Sequence, residues 1–170
     1  MPSPVGHALA GIAAGWSMRG RSRRLDPDSP LWRETALFAA LGMAADLDLL
    51  IGLHSGPTHG LGVALAAAAA AWLPGVDPRG RLTLAAACVV AYASHTLLDW
   101  LGTDTSAPIG IMALWPFSRE YYQSRLHAFM AVSRRFHQPE LFWYQNLAAL
   151  LRELVILVPI LALVAHLRRR

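Results

Sequence analysis

The stretch Ala93-Ser-His-Thr-Leu-Leu-Asp-Trp100, "ASHTLLDW", closes one of the most apolar runs in the chain. It places a histidine and an aspartate four residues apart where leucine would be easier to bury. On a helix this spacing offsets His95 and Asp99 by about 40° and one turn, so both reach one ion or two adjacent ions. A hydrogen bond inside the helix is the simpler alternative, and the pair alone does not separate the two. The other polar residues in apolar segments do.

Hydrophobic residues make up 55% of the 170-residue chain and charged residues only 15%, against roughly 45–50% and about 25% in soluble domains. By length this is one domain, residues 1–170, and by composition it is membrane-embedded or mostly buried helix. Its positive charge is all arginine, concentrated in "MRGRSRR", "RGR" and a terminal "RRR". These clusters flank apolar segments, so they read as positive-inside markers that favour acidic lipid. A bilayer is the expected partner, and nucleic acid is not. Cys88, the single cysteine, lies in an apolar run and reads as a small buried hydrophobe. The N-terminal "MPSPVGHALAGIAAGW" has its charges after the apolar stretch and not before it, so a retained segment is expected in place of a cleaved signal.

Five Ala/Leu/Val-rich segments cover approximately 4–18, 35–53, 60–76, 82–102 and 147–167. A spanning helix needs about 20 apolar residues, which predicts an all-α, polytopic membrane bundle of four to five transmembrane helices. A soluble helical core with one or two anchors is the alternative. The long excursion, 103–146, is aromatic and basic, with a helix predicted over 118–136. Its Trp115, Phe117, Tyr121, Tyr122, together with Phe142, Trp143 and Tyr144, suit an interfacial belt or a lid. The arginines at 19–33, 79–81 and 168–170 fall on one side of a five-helix path. This favours an outside N-terminus and a cytoplasmic C-terminus in a bacterial-type inner membrane.

Alternating the helix directions brings the starts of segments one and three beside the ends of two and four. His7, Asp46, Asp48, His54, His59, His95 and Asp99 then lie at one end of the bundle. Taken singly, each has an ordinary reading: turn residue, interfacial anchor or interhelical hydrogen bond. Taken jointly, three aspartates and several imidazoles at one level of an apolar bundle point to a divalent metal. The donor set suits zinc, and also iron or manganese in oxygen-rich shells. Asp46 and Asp48 stand roughly 200° apart on a helix. One is therefore expected as a ligand and the other as a second-ion ligand, a supporting partner or a base. His127, His137 and His166 read as ordinary surface or interfacial residues, with His127 a candidate extra ligand.

The order "PSPVGHALAG", "AADLD", "HSGPTHG", "SHTLLDW" and "WPFS" resembles the YdjM-like family of inner-membrane metal-dependent hydrolases. More distantly it is similar to zinc-dependent phospholipase C and the P1-type nucleases. The resemblance implies a phospholipase C/P1 nuclease-like helical core and one or two metal ions, with zinc the expected metal. It matches His7, Asp46, His59, His95 and Asp99 to ligand positions, while Asp48 and His54 match motifs without an assigned role. The N-terminal tryptophan ligand of the phospholipases is absent here, as is a second His-x-x-x-Asp.

The resulting expectation is a membrane-bound metal-dependent hydrolase of phosphoesters, including lipid head groups, working at the non-cytoplasmic face. Asp46 or Asp48 would accept a proton from water. Arg119 and Arg125 would hold phosphate if the excursion folds over the site. The competing class is a non-catalytic membrane protein, a metal-binding transporter or a structural bundle.

Overall fold

The computed structural model describes residues 1–19, 31–51, 54–72 and 80–169, and they contain five α-helices and no strand. Helix α1 is Pro4–Arg19, α2 is Leu31–Met43, α3 is Leu61–Ala66, α4 is Arg81–Leu101 and α5 is Pro139–Arg169. The basic residues Arg21, Arg23, Arg24, Arg79 and Arg170, used above for orientation, lie outside the described residues.

The second and third apolar segments are wound differently from the expectation. Helix α2 has 13 residues and passes into a 3-10 turn over Ala44–Ile51. Helix α3 is continued by a 3-10 turn over Ala67–Trp72. Among the described residues, only α4 and α5 are long and apolar enough to cross a bilayer. The described residues thus hold two candidate spans, and three shorter helices, α1, α2 and α3, pack against α4.

Two observations orient the bundle. At one end, Arg19 bonds Glu34 at 2.5 Å and Thr83 at 3.0 Å, and Arg168 lies 4.8 Å over the Trp16 ring. The C-termini of α1 and α5 therefore meet the N-termini of α2 and α4 there. At the other end, α4 stops at Gly102, whose amide donates to the Asp99 carbonyl at 3.1 Å. Asp99 consequently sits in the last turn.

Between the ends, α1 and α2 cross at glycines. A Cβ on Gly42 would stand 2.3 Å from the His7 carbonyl oxygen and 3.1 Å from Gly11 Cα, so the backbones approach as only small residues permit. Phe38, Leu84 and Cys88 fill the core toward the arginine end, which places Cys88 in apolar surroundings as read from the sequence. Ala10, Leu98, Phe129 and Leu157 pack α1, α4 and α5 together nearer the other end.

The helix expected over 118–136 does not form; that stretch consists of turns, irregular chain and bridge residues. Its amides are committed elsewhere: Ser124 donates to Trp100 O and Ala128 to Leu101 O, both at 2.8 Å. Helical pairing would need the same N–H groups for carbonyls four residues back. Earlier in the excursion, Met112 donates to Ser55 O and Ala113 accepts from Leu61, both at 3.0 Å. The excursion thus lies across the end of the bundle that carries the polar cluster.

Candidate metal centre

Four elements deliver the cluster. Helix α1 brings His7 one turn past its start, and the 3-10 turn after α2 brings Asp46 and Asp48. The short turn Pro57–His59 brings His59, and the last turns of α4 bring His95 and Asp99. His7, His59 and His95 are fully buried and Asp99 nearly so.

Asp99 is the hub. Its Oδ1 lies 3.3 Å from His7 Nε2, and its Oδ2 lies 3.0 Å from His95 Nε2 and 3.3 Å from His59 Nε2. Asp46 Oδ1 stands 3.8 Å from both His59 Nε2 and His95 Nε2. The His7 and His95 rings stack with centroids 3.8 Å apart. None of these three Nε2 atoms, nor either Asp99 oxygen, has a hydrogen-bond partner of sound geometry, although all are buried. Orphaned buried polar atoms of this kind require an explanation.

A cation at their common focus supplies one. Zinc takes imidazole nitrogen and carboxylate oxygen at 2.0–2.2 Å, so the edges of its tetrahedron are about 3.3–3.6 Å. The donor separations of 3.0–3.8 Å scatter around that edge length. Three triads, His59/His95/Asp99, His7/Asp46/His95 and Asp46/His54/His59, each offer atoms within 4.8 Å of one another. The residues present fit a divalent ion.

The imidazoles are also oriented from behind. His95 Nδ1 lies 2.7 Å from the Gly42 carbonyl, which accepts its proton and leaves the Nε2 lone pair facing the focus. His59 Nδ1 lies 3.3 Å from Asp48 Oδ2, which also accepts the Thr58 hydroxyl at 2.7 Å. A ring nitrogen bound to a carbonyl or carboxylate, with the other turned to a metal, is the usual arrangement of a ligating histidine. The turn carrying His59 is tied to α4 by Tyr92 Oη donating to Thr58 O and Thr96 Oγ1 donating to His59 O, both at 2.8 Å.

Asp46 and Asp48, both on the 3-10 turn Ala44–Ile51, face different partners. Asp46 faces the focus and is partly exposed, whereas Asp48 stands behind His59 and also lies 3.5 Å from His54 Nδ1. Asp48→Asn is expected to keep the fold and weaken metal binding about 10–100-fold, the usual cost of losing such a supporting carboxylate. Isothermal titration of the metal-free protein would measure it, and unchanged affinity would remove Asp48 from the set.

Of the remaining candidates, His54 shares a metal-competent group with Asp46 and His59, whereas His127, Arg119 and Arg125 fall outside the focus. His54 faces Asp48 on one side and Arg134 on the other, with Arg134 Nη2 3.3 Å from His54 Nε2. His127 is exposed, its Nδ1 3.4 Å from the Thr103 hydroxyl, and it joins none of the metal-competent groups among the described residues. Its backbone is left-handed, with φ of 45°, so the chain turns there and carries the ring away. Arg119 and Arg125 are exposed, and neither hydrogen-bonds the cluster among the described residues. The arginine at the edge of the cluster is Arg134, which sequence reading passed over. An aromatic and basic excursion contains four arginines, and only its path decides which one meets the site.

A model of the YdjM inner membrane protein family matches residues 1–169. The chain belongs to that family. Membrane localisation and contact with lipid follow, in agreement with the two span-length helices. No curated protein and no solved structure matches the chain.

One further feature adjoins the cluster. A groove of about 320 Å³ runs along the neighbouring face of α4, lined by Leu61, Ala93, Thr96, Leu97, Trp100, Ala113, Leu114 and Tyr122. Thr96, which holds the His59 carbonyl, is also one wall of this groove.

Proposed function

We propose that this YdjM-family protein is a membrane-bound, metal-dependent hydrolase of phosphoesters, with His7, His59, His95 and Asp99 as buried ligands and Asp46 at the open side. The observation that carries the metal reading is the convergence of three buried imidazole nitrogens on the two oxygens of Asp99, all without hydrogen-bond partners. A divalent cation held there supplies Lewis acidity, polarising a phosphoryl oxygen and lowering the pKa of water. Zinc fits the donors best, as one ion or two.

The chain's own residues would do the rest. Asp46, the one cluster carboxylate with appreciable exposure, is placed to take a proton from water. Arg134, next to His54 at the edge, is better placed than Arg119 or Arg125 to meet a phosphate, and a guanidinium binds phosphate oxygens in pairs. The apolar groove beside Thr96 would accept the hydrocarbon of a lipid ester whose head group lies at the cluster. All ligands lie at one end of the bundle, under a lid, which suits an enzyme rather than a conduit open to both sides. Arg19 and Arg168 at the opposite end favour a non-cytoplasmic position for the ligand end.

Protons and metal compete at His59, which lies outside the two span-length helices. Burial alone would lower its pKa, but the carboxylates of Asp46, Asp48 and Asp99 outweigh burial and push it up to about 11. In the metal-free protein this favours the doubly protonated imidazolium, and an incoming ion must displace one of its protons. Metal affinity should rise with pH by about tenfold per unit over the neutral range, with one proton released per ion. Titration in buffers of different ionisation enthalpy measures that release, and pH-independent affinity would count against His59 as a ligand.

The chemistry is tested by assaying purified protein in lipid micelles against a panel of phosphomonoesters, phosphodiesters and phospholipids. Release of phosphate or head group should require metal, vanish with chelator and vanish in His95→Ala. Turnover that survives both treatments would overturn the hydrolase reading.

A further inference from the structure

Helix α5 holds a buried carboxylate that the metal centre does not use. Glu153 is fully buried on the one inward stripe of α5, with Ala149 and Leu157 a turn to either side. An acid inside a membrane helix is costly and calls for a partner. Glu153 finds two on one residue: its Oε1 accepts the Ser3 amide at 2.6 Å, and its Oε2 accepts the Ser3 hydroxyl.

Ser3 immediately precedes α1, and its hydroxyl oxygen accepts the Gly6 amide at 3.2 Å. Its carbonyl accepts the His7 amide at 3.1 Å. Ser3 is therefore the N-cap of α1, followed by proline at the first helical position, where it is favoured. In a capping box, a glutamate or glutamine three residues after the cap reaches back to the cap's amide. Here that position is Gly6. A Cβ on Gly6 would stand 2.6 Å from Glu153 Oε2, so the glycine leaves room for a carboxylate that arrives from another helix.

We infer that Glu153 completes the capping box of α1 in trans and is thereby the positioning residue that sets the register of His7 at the cluster. His7 is the next residue after Gly6, and it is the only cluster member on α1. The lock between α5 and α1 stands on its own geometry, whereas its consequence for metal rests on the metal centre proposed above.

The test uses the full chain in detergent with four variants: Glu153→Gln, Glu153→Leu, Gly6→Glu and the double variant G6E/E153A. Two quantities are read, amide exchange at Gly6 and His7 in metal-free protein, and affinity for Co²⁺ from its visible absorption. Glutamine serves in capping boxes, so Glu153→Gln should stay close to wild type in both. Glu153→Leu makes α5 more apolar yet should lose protection at residues 6–7 and weaken Co²⁺ binding about 10–100-fold, with an altered spectrum. Gly6→Glu should behave like Glu153→Leu, because its side chain collides with Glu153. The double variant moves the carboxylate to the ordinary position and should restore both readouts. Wild-type behaviour of Glu153→Leu, or a double variant no better than its parents, would overturn the inference. Exchange that follows this pattern in a protein whose wild type binds no Co²⁺ would keep the lock and remove the metal reading.

Discussion

Asp99→Asn should abolish stoichiometric metal binding while leaving the helices in place. The substitution changes almost no volume and keeps one oxygen, so packing in the last turn of α4 is preserved. What it removes is the negative charge that three imidazoles share: Asp99 Oδ1 faces His7 at 3.3 Å, and Oδ2 faces His95 at 3.0 Å and His59 at 3.3 Å. An amide nitrogen in either position turns a donor toward the focus. Altering a residue that merely supports a ligand costs about 10–100-fold in affinity, and losing the hub should exceed that range. Circular dichroism would check the helices and calorimetry the metal. Full affinity in a folded Asp99→Asn protein would exclude Asp99 as a ligand.

The second large effect is expected from a methyl group. Gly42→Ala would put a Cβ 2.3 Å from the His7 carbonyl oxygen, where ordinary contact begins near 3.4 Å. Helices α1 and α2 would have to separate by about 1 Å, and overpacking of this kind costs typically 1–3 kcal/mol. The consequence reaches further than stability because Gly42 serves two ligands. Its Cα faces the turn of α1 that carries His7, and its carbonyl accepts the His95 ring proton at 2.7 Å. Both imidazoles should move together, and metal affinity should fall with the melting temperature. Gly56→Ala is the control, since nothing lies within 4 Å of its added Cβ. Equal behaviour of the two alanine variants would show that the α1–α2 crossing is not tight.

The end-on convergence of His7, Asp46, His59, His95 and Asp99 was legible because it needs only alternating helix directions and the position of each residue in its segment. The all-helical class was legible for a similar reason, from alanine- and leucine-rich runs without alternation. Helix length was not. Hydropathy makes 35–53 and 60–76 continuous, whereas the chain winds into 3-10 turns after Met43 and Ala66, and those turns are what let Asp46 and Asp48 face different partners.

The excursion was misread as helical over 118–136 because its aromatic and basic residues suit an interfacial helix. Its backbone instead bonds the rim of the bundle, which leaves His127, Arg119 and Arg125 outward and Arg134 beside His54. Glu153 was visible only as a charge in an apolar segment. Its partner, Ser3, is 150 positions away in the chain, and no local pattern joins the two.

The most direct test of the account is elemental analysis of protein purified without chelators, wild type beside Asp99→Asn. The account predicts one or two equivalents of a divalent transition metal in the wild type and none in the variant. Wild-type protein that is folded, carries no metal and takes none up on addition of zinc, iron or manganese would contradict it.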